Sequence, residues 1–327
     1  MAKYRRQHYV PQSYLRRFAG DGRRLHVHDK VLKRSFVSNP RDVAQSEFFN
    51  DLFLRDEEGR IADDVAEDLI ERELGKWEAA LTDMTEVARS VADGGGANLD
   101  QRATMSICTA IQLVRIPEWR KRLVQLSTEE LEADATRYVE ERMPGFTEDF
   151  KINIGLTPQQ QAWLHAYFLW STEGVVQIAT DLFHYVWRIG INRTGTPLYT
   201  SDRAVVATLY EGDPLPLPSG AVRPDSAAYG GSDVVSGMLF GGGSPQSVEV
   251  TFPLAPDLAL LMYHPVYFAA LQPKQGRPML LSEHDVWRLN ALQAVQCERQ
   301  IYSISPDFSV AEKILYDPAY EHLVRRA

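Results

Sequence analysis

Side chains that could take part in catalysis or binding are concentrated near the start of the chain, in the run Gln7-His8-Tyr9-Val10-Pro11-Gln12 and its continuation to Arg16. Pro11 fixes its own φ and disfavours helix at the preceding residue, so we expect a helix to begin near Pro11 with these polar groups held rigidly. A preorganised His8 could act as a general base or nucleophile, and Gln12 could orient a carbonyl or phosphate oxygen, with Tyr9 and Arg16 as substrate-binding neighbours. His8 and Gln12 could instead cap helices or satisfy buried main-chain groups.

A second polar pair lies in the middle of the chain. Arg115 follows Gln112 by three residues, so on a helix both side chains project from one side. Arg115 could clamp an anionic substrate with two hydrogen bonds, and Gln112 could bind the same substrate. The alternative is structural, because a buried arginine two residues before Pro117 could donate to the carbonyl that a helical proline leaves free.

Ser201 and Asp202 follow a predicted strand and begin a turn. Ser201 is a candidate substrate-binding residue, and the Asp202 carboxylate could orient His8 or bind a metal. Formation of an Asx turn explains Asp202 equally well. His26 and His28 leave the same face of another predicted strand, a spacing found in metal sites, but two ligands do not make a site. No metal ligand set and no cofactor is assigned.

Helices are predicted to carry most of the first half of the chain. Apolar residues at helical spacing run from Ile61 to Val91, a second helix should start near residues 98–100 and continue past a bend at Pro117 to about Leu126, and a shorter acidic helix should follow to Met143. Thr157-Pro158 predicts an N-cap that opens a long, buried, aromatic-rich helix reaching Phe183. Before these helices, residues 24–28 alternate as a strand and predict a hairpin or edge strand.

Strands are predicted beyond Gly190, where glycine, proline and short β-branched runs become frequent. The predicted strands of this small mixed or antiparallel sheet cover residues 198–200, 204–209, 248–252 and 258–262. Residues 211–247 predict a long surface loop or lid, and the chain should close with a helix over residues 282–297, a strand near 299–304 and a helix from Val310. The expected fold is α+β, a helix-rich body with a small, mainly antiparallel sheet.

Charge is distributed unevenly along the 327 residues. The net charge of −9 argues against a dedicated nucleic-acid-binding domain. Residues 1–41, however, contain eleven Lys or Arg against Asp21 and Asp29, a local +9, which leaves −18 for the rest. This basic segment either docks on the acidic body or faces an anionic ligand such as phosphate.

Two distant cysteines, Cys108 and Cys297, predict a reducing, cytoplasmic setting, and no apolar stretch approaches the roughly 20 residues that span a bilayer. Several well-known catalytic and binding motifs do not occur in the sequence: Gly-x-Ser-x-Gly, a Walker-type loop, His-Glu-x-x-His and Cys-x-x-Cys.

Four sequence pieces together resemble a bacterial family called domain of unknown function 4238. The pieces, in the family's order, are the His-Tyr-Val-Pro-Gln opening that begins at His8, the Gln-x-x-Arg-x-Pro helix from Gln112, the Ser-Asp turn at Ser201 and the Phe-Pro-Leu strand at Phe252. The chain has Arg203-Ala204 where the family usually has Asn-Pro. The resemblance implies little about activity.

The sequence leads to one functional expectation and two alternatives. We expect an enzyme, a hydrolase such as a nuclease, acting on a phosphate-bearing substrate such as a nucleotide or RNA, with His8, Gln12 and Asp202 as catalytic residues. The alternatives are a non-catalytic binding or assembly protein and an enzyme that tailors a small metabolite. Three regions, residues 1–60, 61–190 and 191–327, are expected to form one integrated domain, and the oligomeric state is left open.

Overall fold

The computed structural model describes residues 6–21, 23–47, 49, 69–145, 150–210 and 247–324. The α-helices, numbered along the chain, are α1 (Gln12–Leu15), α2 (Leu69–Ala92), α3 (Leu99–Val114), α4 (Pro117–Arg142), α5 (Pro158–Trp170), α6 (Gln177–His184), α7 (Glu283–Gln296), α8 (Ser309–Tyr316) and α9 (Glu321–Val324). The strands are β1 (Arg6–His8), β2 (Leu25–Asp29), β3 (Arg34–Ser38), β4 (Gln45–Glu47), β5 (Val186–Asn192), β6 (Thr200–Ser201), β7 (Val206–Leu209), β8 (Val248–Ala255), β9 (Leu258–Tyr263), β10 (Arg277–Leu281) and β11 (Gln300–Ser303). The α+β prediction is confirmed.

A five-stranded sheet in the order β10-β5-β9-β8-β7 lies between two layers of helices. Side chains alternate across a strand, so Trp187 and Ile189 join the core under α2, α3 and α6, while Val186 packs with Val286 and Leu289 of α7. Burial of both faces explains why β9 is a continuous apolar run, whereas β8 alternates at Glu249 and Thr251 although all of its residues are buried. The sheet is mixed, because β10 pairs parallel with β5 and the other pairs are antiparallel.

A four-stranded antiparallel sheet, in the order β3-β2-β11-β6, joins distant parts of the chain. The predicted hairpin near the N-terminus is confirmed as β2 and β3, and β2 also pairs with β11 from the C-terminal region. The N-terminal segment docks through apolar side chains, since Val10, Tyr14, Leu15 and Phe18 are fully buried in the main core. The three-region division stays a prediction.

Pro117 separates two helices instead of bending one. Helix α3 ends at Val114, Arg115 forms its C-cap, and Ile116 is the extended N-cap of α4, whose first residue is Pro117. Proline suits the first helical position because an N–H group there would have no intrahelical acceptor, so its absence costs nothing. Proline also disfavours helical φ and ψ at the preceding residue. The predicted acidic helix is the second half of α4.

The predicted helix from Pro158 to Phe183 is also interrupted, by a π-helical turn at Thr172–Val176 in which Gly174 has non-helical φ and ψ. Its N-cap at Thr157 is confirmed with a full capping box. The expectation of complete burial is wrong, because Trp163, Tyr167 and Trp170 are 40%, 67% and 43% exposed. Strands β5 and β10 were not predicted. The start of the predicted Ile61 helix and nearly all of the predicted lid, residues 211–246, lie outside the described residues.

Candidate functional site

The His8-Tyr9 backbone is held by the two polar residues at the end of α3. A guanidinium nitrogen of Arg115 donates to the carbonyl of His8 at 2.7 Å, and Gln112 Nε2 donates to the carbonyl of Tyr9 at 3.3 Å. Arg115 also lies 3.5 Å from a carboxylate oxygen of Glu78, and both Gln112 and Arg115 are buried. The N-terminal motif and the Gln112–Pro117 motif are therefore joined by hydrogen bonds from side chains to main-chain carbonyls.

The His8 imidazole has a partner on each nitrogen. Because a carbonyl can only accept, Nε2–H donates to the Arg41 carbonyl at 3.1 Å, and Nδ1 then accepts from Gln12 Nε2 at 3.4 Å. Arg16 donates to the Gln12 side-chain oxygen at 3.4 Å and extends this row to the surface. Burial lowers the pKa of His8, as does the charge of Arg115, so the ring is neutral at pH 7. In this arrangement neither ring nitrogen is free to take a proton from a substrate.

Asp202 lies elsewhere, in the turn after β6, and does not orient His8. Its Oδ1 accepts the N–H of Glu298 at 2.9 Å, and its Oδ2 accepts the N–H groups of Arg299 and Gln300 at 2.7 and 2.8 Å. Burial raises the pKa of Asp202 to about 6, although these three hydrogen bonds lower it. The carboxyl group thus titrates close to neutral pH, a property useful in acid–base chemistry.

Ser201 supports the same turn. Its hydroxyl donates to the side-chain oxygen of Gln293 in α7 at 2.7 Å and accepts the N–H of Arg203 at 3.2 Å. Ser201 is fully buried, so its hydroxyl holds the turn against α7 and does not reach solvent.

Tyr9 of the N-terminal motif contacts Phe49, and its pKa responds to the charge of Asp202. The tyrosine ring packs edge-on against Phe49, with 5.9 Å between centroids. Burial raises the pKa of Tyr9, and the negative charges of Asp202 and Glu298 raise it further.

A cleft of about 220 Å³ opens beside Asp202 where the motifs meet. Its walls come from the end of β2, the start of α4, the Ser-Asp turn and the end of α7; the lining residues are Lys30, Ile116, Glu118, Asp202, Arg203, Val295, Gln296, Cys297 and Glu298. These four elements are distant in sequence and converge here, so the cleft exists only in the folded chain.

Most charges of this cleft have protein partners. Lys30 Nζ donates to the carbonyl of Cys297. On the rim, Lys121 Nζ lies 2.8 Å from a Glu298 oxygen and 3.5 Å from a Glu118 oxygen. One ammonium group is thus shared by the two rim carboxylates, which leaves a net charge of −1 at this part of the rim.

Arg203 differs from its neighbours. Its Nε is buried and has no hydrogen-bond partner, and the structure gives its guanidinium no ion pair with a described residue. Burial lowers the pKa of Arg203, although the nearby charges of Glu118 and Asp202 raise it. A half-buried, incompletely satisfied guanidinium that lines a cleft is suited to bind an anion.

Sequence reasoning missed Arg203, Lys30 and Glu298. Arg203 directly follows the Ser-Asp pair, at a position where this chain departs from the usual family residue, and that departure was the available signal. Lys30 and Glu298 carried no local signal, because each joins the cleft only through the pairing of β2 with β11. The described residues contain no group of three or more His, Cys, Asp or Glu that could hold a metal ion, and His26 and His28 accordingly form no such group there. Cys108 and Cys297 are buried free thiols, and burial raises the pKa of Cys108 to about 12.

The fold is α+β, and the cleft beside Asp202 is lined by residues from both the N-terminal and the C-terminal parts of the chain. The chain belongs to the family described as Protein of unknown function (DUF4238), whose model matches residues 6–307. No curated protein and no solved structure matches the chain. Within the described ranges, no helix combines the length and apolar character needed to cross a membrane.

Proposed function

We propose that the protein is a hydrolase of a phosphate-bearing substrate such as a nucleotide or RNA, and that the phosphate binds against Arg203 in the Asp202 cleft. The observation that carries this proposal is that one cleft holds a half-buried guanidinium whose buried Nε has no hydrogen-bond partner and a buried carboxyl group of pKa about 6. A phosphate oxygen would accept the Arg203 hydrogen bonds that no described side chain accepts.

Asp202 would serve as the general base in this proposal. Its Oδ1 accepts one main-chain N–H and keeps a lone pair that can take a proton from water, whereas Oδ2 already accepts two. The water oxygen would attack phosphorus, the leaving alcohol would take up a proton, and Arg203 would stabilise the charge on the phosphate oxygens. His8, Gln12 and Arg16 would position the adjacent Tyr9 rather than react.

The size of the cleft limits what it encloses. At about 220 Å³ it is smaller than the roughly 300–1,000 Å³ typical of small-molecule pockets, so it would hold a phosphate group and its immediate neighbour while the rest of the substrate lies outside. A cytoplasmic setting is part of the proposal and is supported by two buried cysteines that form no disulfide.

Ligand binding by Arg203→Gln tests this proposal. The substitution removes a charge that has no described ion-pair partner, so we expect the variant to fold. Inorganic phosphate, mononucleotides and a short RNA should raise the melting temperature of the wild type. At a ligand concentration a hundredfold above Kd, the free energy of unfolding should increase by ~2.7 kcal/mol. The melting temperature of Arg203→Gln should not change with these ligands. Arg23→Gln, which removes an exposed arginine of the basic N-terminal segment, is the matched control and should behave as the wild type.

Turnover provides the second measurement. Release of phosphate or nucleotide should increase as the pH rises through about 6, because a general base must be ionised to accept a proton. Absence of any shift with these ligands, or a shift that survives in Arg203→Gln and disappears in Arg23→Gln, would refute the cleft as the phosphate site.

A non-catalytic binding or assembly protein is the second candidate. It is favoured by the main-chain partners of Gln112 and Arg115 and by the doubly engaged imidazole of His8, which together stitch the N-terminal segment to the body. Binding of a ligand at the cleft without turnover of any phosphate compound would support this candidate. The metabolite-tailoring alternative depended on a lid over residues 211–247 and gains no support from the described residues.

A further inference from the structure

A buried histidine and an exposed serine face each other on the N-terminal hairpin, and neither of them lines the Asp202 cleft. His28 of β2 and Ser35 of β3 are paired directly across the antiparallel register, so their side chains leave the same face. His28 Nδ1 lies 2.9 Å from Ser35 Oγ. The His28 side chain is 1% exposed, whereas Ser35 is open to solvent. A buried base thus contacts a hydroxyl that an external substrate can reach.

A hydroxyl of α8 sets the position of the His28 proton. His28 Nε2 lies 2.8 Å from Tyr316 Oη, and the Tyr316 hydroxyl donates to the carbonyl of Lys30 at 3.3 Å. Because the hydroxyl proton is used on that carbonyl, the Tyr316 oxygen accepts from Nε2–H. The Nδ1 lone pair then points at the Ser35 hydroxyl. This is the one arrangement that makes all three hydrogen bonds together.

The surroundings of the imidazole suit a base that becomes charged for a short time. Burial lowers the pKa of His28, so the ring is neutral at pH 7 and able to accept a proton. A Glu312 oxygen lies 3.9 Å from Nδ1 and would stabilise the imidazolium once it forms. The rings of Phe308 and Tyr316, with centroids 5.5 and 5.8 Å from that of His28, fix its orientation.

We propose that Ser35 is a nucleophile for acyl transfer, with His28 as its general base and Tyr316 as the positioning residue that fixes the tautomer. Ser35 Oγ attacks the carbonyl carbon of a small ester while its proton passes to His28 Nδ1. Collapse of the tetrahedral intermediate breaks the bond to the leaving oxygen, which takes the proton from Nδ1 and departs as an alcohol. Water then repeats the sequence on the acylated serine, with proton transfer to the same nitrogen, and releases the acid.

The location of Ser35 favours small substrates that arrive from solvent. Strand β3 is at the edge of the four-stranded sheet, and among the described strands it pairs only with β2. Its outward main-chain N–H groups would be the donors available to a developing oxyanion. Neither Ser35 nor His28 lines the Asp202 cleft, so this activity and the proposed phosphate hydrolysis can fail independently.

Active-site labelling with a fluorophosphonate probe tests the proposal. The serine oxygen attacks phosphorus and fluoride leaves, which gives a stable adduct that peptide mass spectrometry locates. We expect labelling of the wild type at Ser35, none in Ser35→Ala, and an unchanged rate in Ser38→Ala. Ser38 is the matched control because it lies on the same strand but, three residues away, on the opposite face.

The Tyr316→Phe variant tests whether the Tyr316 hydroxyl supports the reaction of Ser35 or only the stability of the fold. The ring remains, but loss of the hydroxyl lets the proton move to Nδ1, where it donates to Ser35 and removes the base. Labelling and hydrolysis of p-nitrophenyl acetate should slow by about 100-fold or more while the melting temperature remains near that of the wild type. No adduct at Ser35 in the wild type, or equal labelling rates in the wild type and Tyr316→Phe, would overturn the proposal.

Discussion

Acidification of the wild type and of His165→Gln should reveal the cost of a histidine buried as a neutral ring. His165 of α5 is 1% exposed, and its Nε2–H donates to the carbonyl of Val114, the last residue of α3, at 2.7 Å. Its Nδ1 accepts from Arg120 Nε at 3.2 Å. Burial, followed by the charge of Arg120, lowers the pKa of His165 from 6.5 to about 3. The folded protein therefore keeps this ring neutral at pH values where the unfolded chain protonates it.

The sign and magnitude follow from this difference. For a base with a lowered folded pKa, stability is present above the unfolded value of 6.5 and is lost as the pH falls toward 3. The full loss is about 5 kcal/mol, at ~1.4 kcal/mol per pKa unit. Between pH 7 and pH 5 the unfolded chain gains most of its proton and the folded chain gains almost none, which costs about 2 kcal/mol.

Urea denaturation at a series of pH values between 7 and 5 measures this effect. Glutamine cannot titrate, but its amide can donate to Val114 and accept from Arg120, so we expect His165→Gln to fold and to lose about 2 kcal/mol less than the wild type over this range. All other titrating groups are common to both proteins, so the difference isolates one residue. His184→Gln, which removes an exposed imidazole, should keep the wild-type slope. Equal slopes in the wild type and His165→Gln would refute the assignment of a neutral buried ring.

Two further substitutions test contacts that hold the motifs and the sheet. Arg115→Ala should lower the free energy of unfolding by about 3 kcal/mol, because a buried charged hydrogen bond to the main chain is lost, and a urea titration measures it. Glu249→Gln should cost about 2–4 kcal/mol by the same assay, since the 1%-exposed carboxylate binds Arg288 through two contacts of 2.6 and 2.8 Å. Asp257→Asn is its control: the pair with Arg89 is exposed and should contribute less than ~1 kcal/mol, so a larger loss there than at Glu249 would contradict this reasoning.

Local chemistry in the sequence was sufficient for many element boundaries. The cap at Thr157 with proline after it and the start of the helix at Ser282 depend on residues within four positions of one another. Sequence reasoning was wrong where the outcome depends on distant packing. Val186–Asn192 lacks polar alternation because both faces of β5 are covered, so no strand was predicted there.

The candidate site was predicted only in part for the same reason. The residues of the motifs were found, and the structure does bring Gln112 and Arg115 to the backbone of His8 and Tyr9. Their partners could not be predicted, since a polar side chain has the same sequence signature whether it binds a main-chain carbonyl or a substrate.

The sequence by itself determined the α+β class, the family, most helix starts and the residues of the motifs, because these depend on short-range periodicity, capping and composition. Only the tertiary structure decided that Asp202 accepts three N–H groups from the turn after α7, that Arg203 remains incompletely satisfied beside it, and that Ser35 meets His28. Each of these facts depends on which strands pair and how much water remains at the side chain. Burial and pairing between distant segments set the charge and proton state of a group, and no local pattern of residues encodes them.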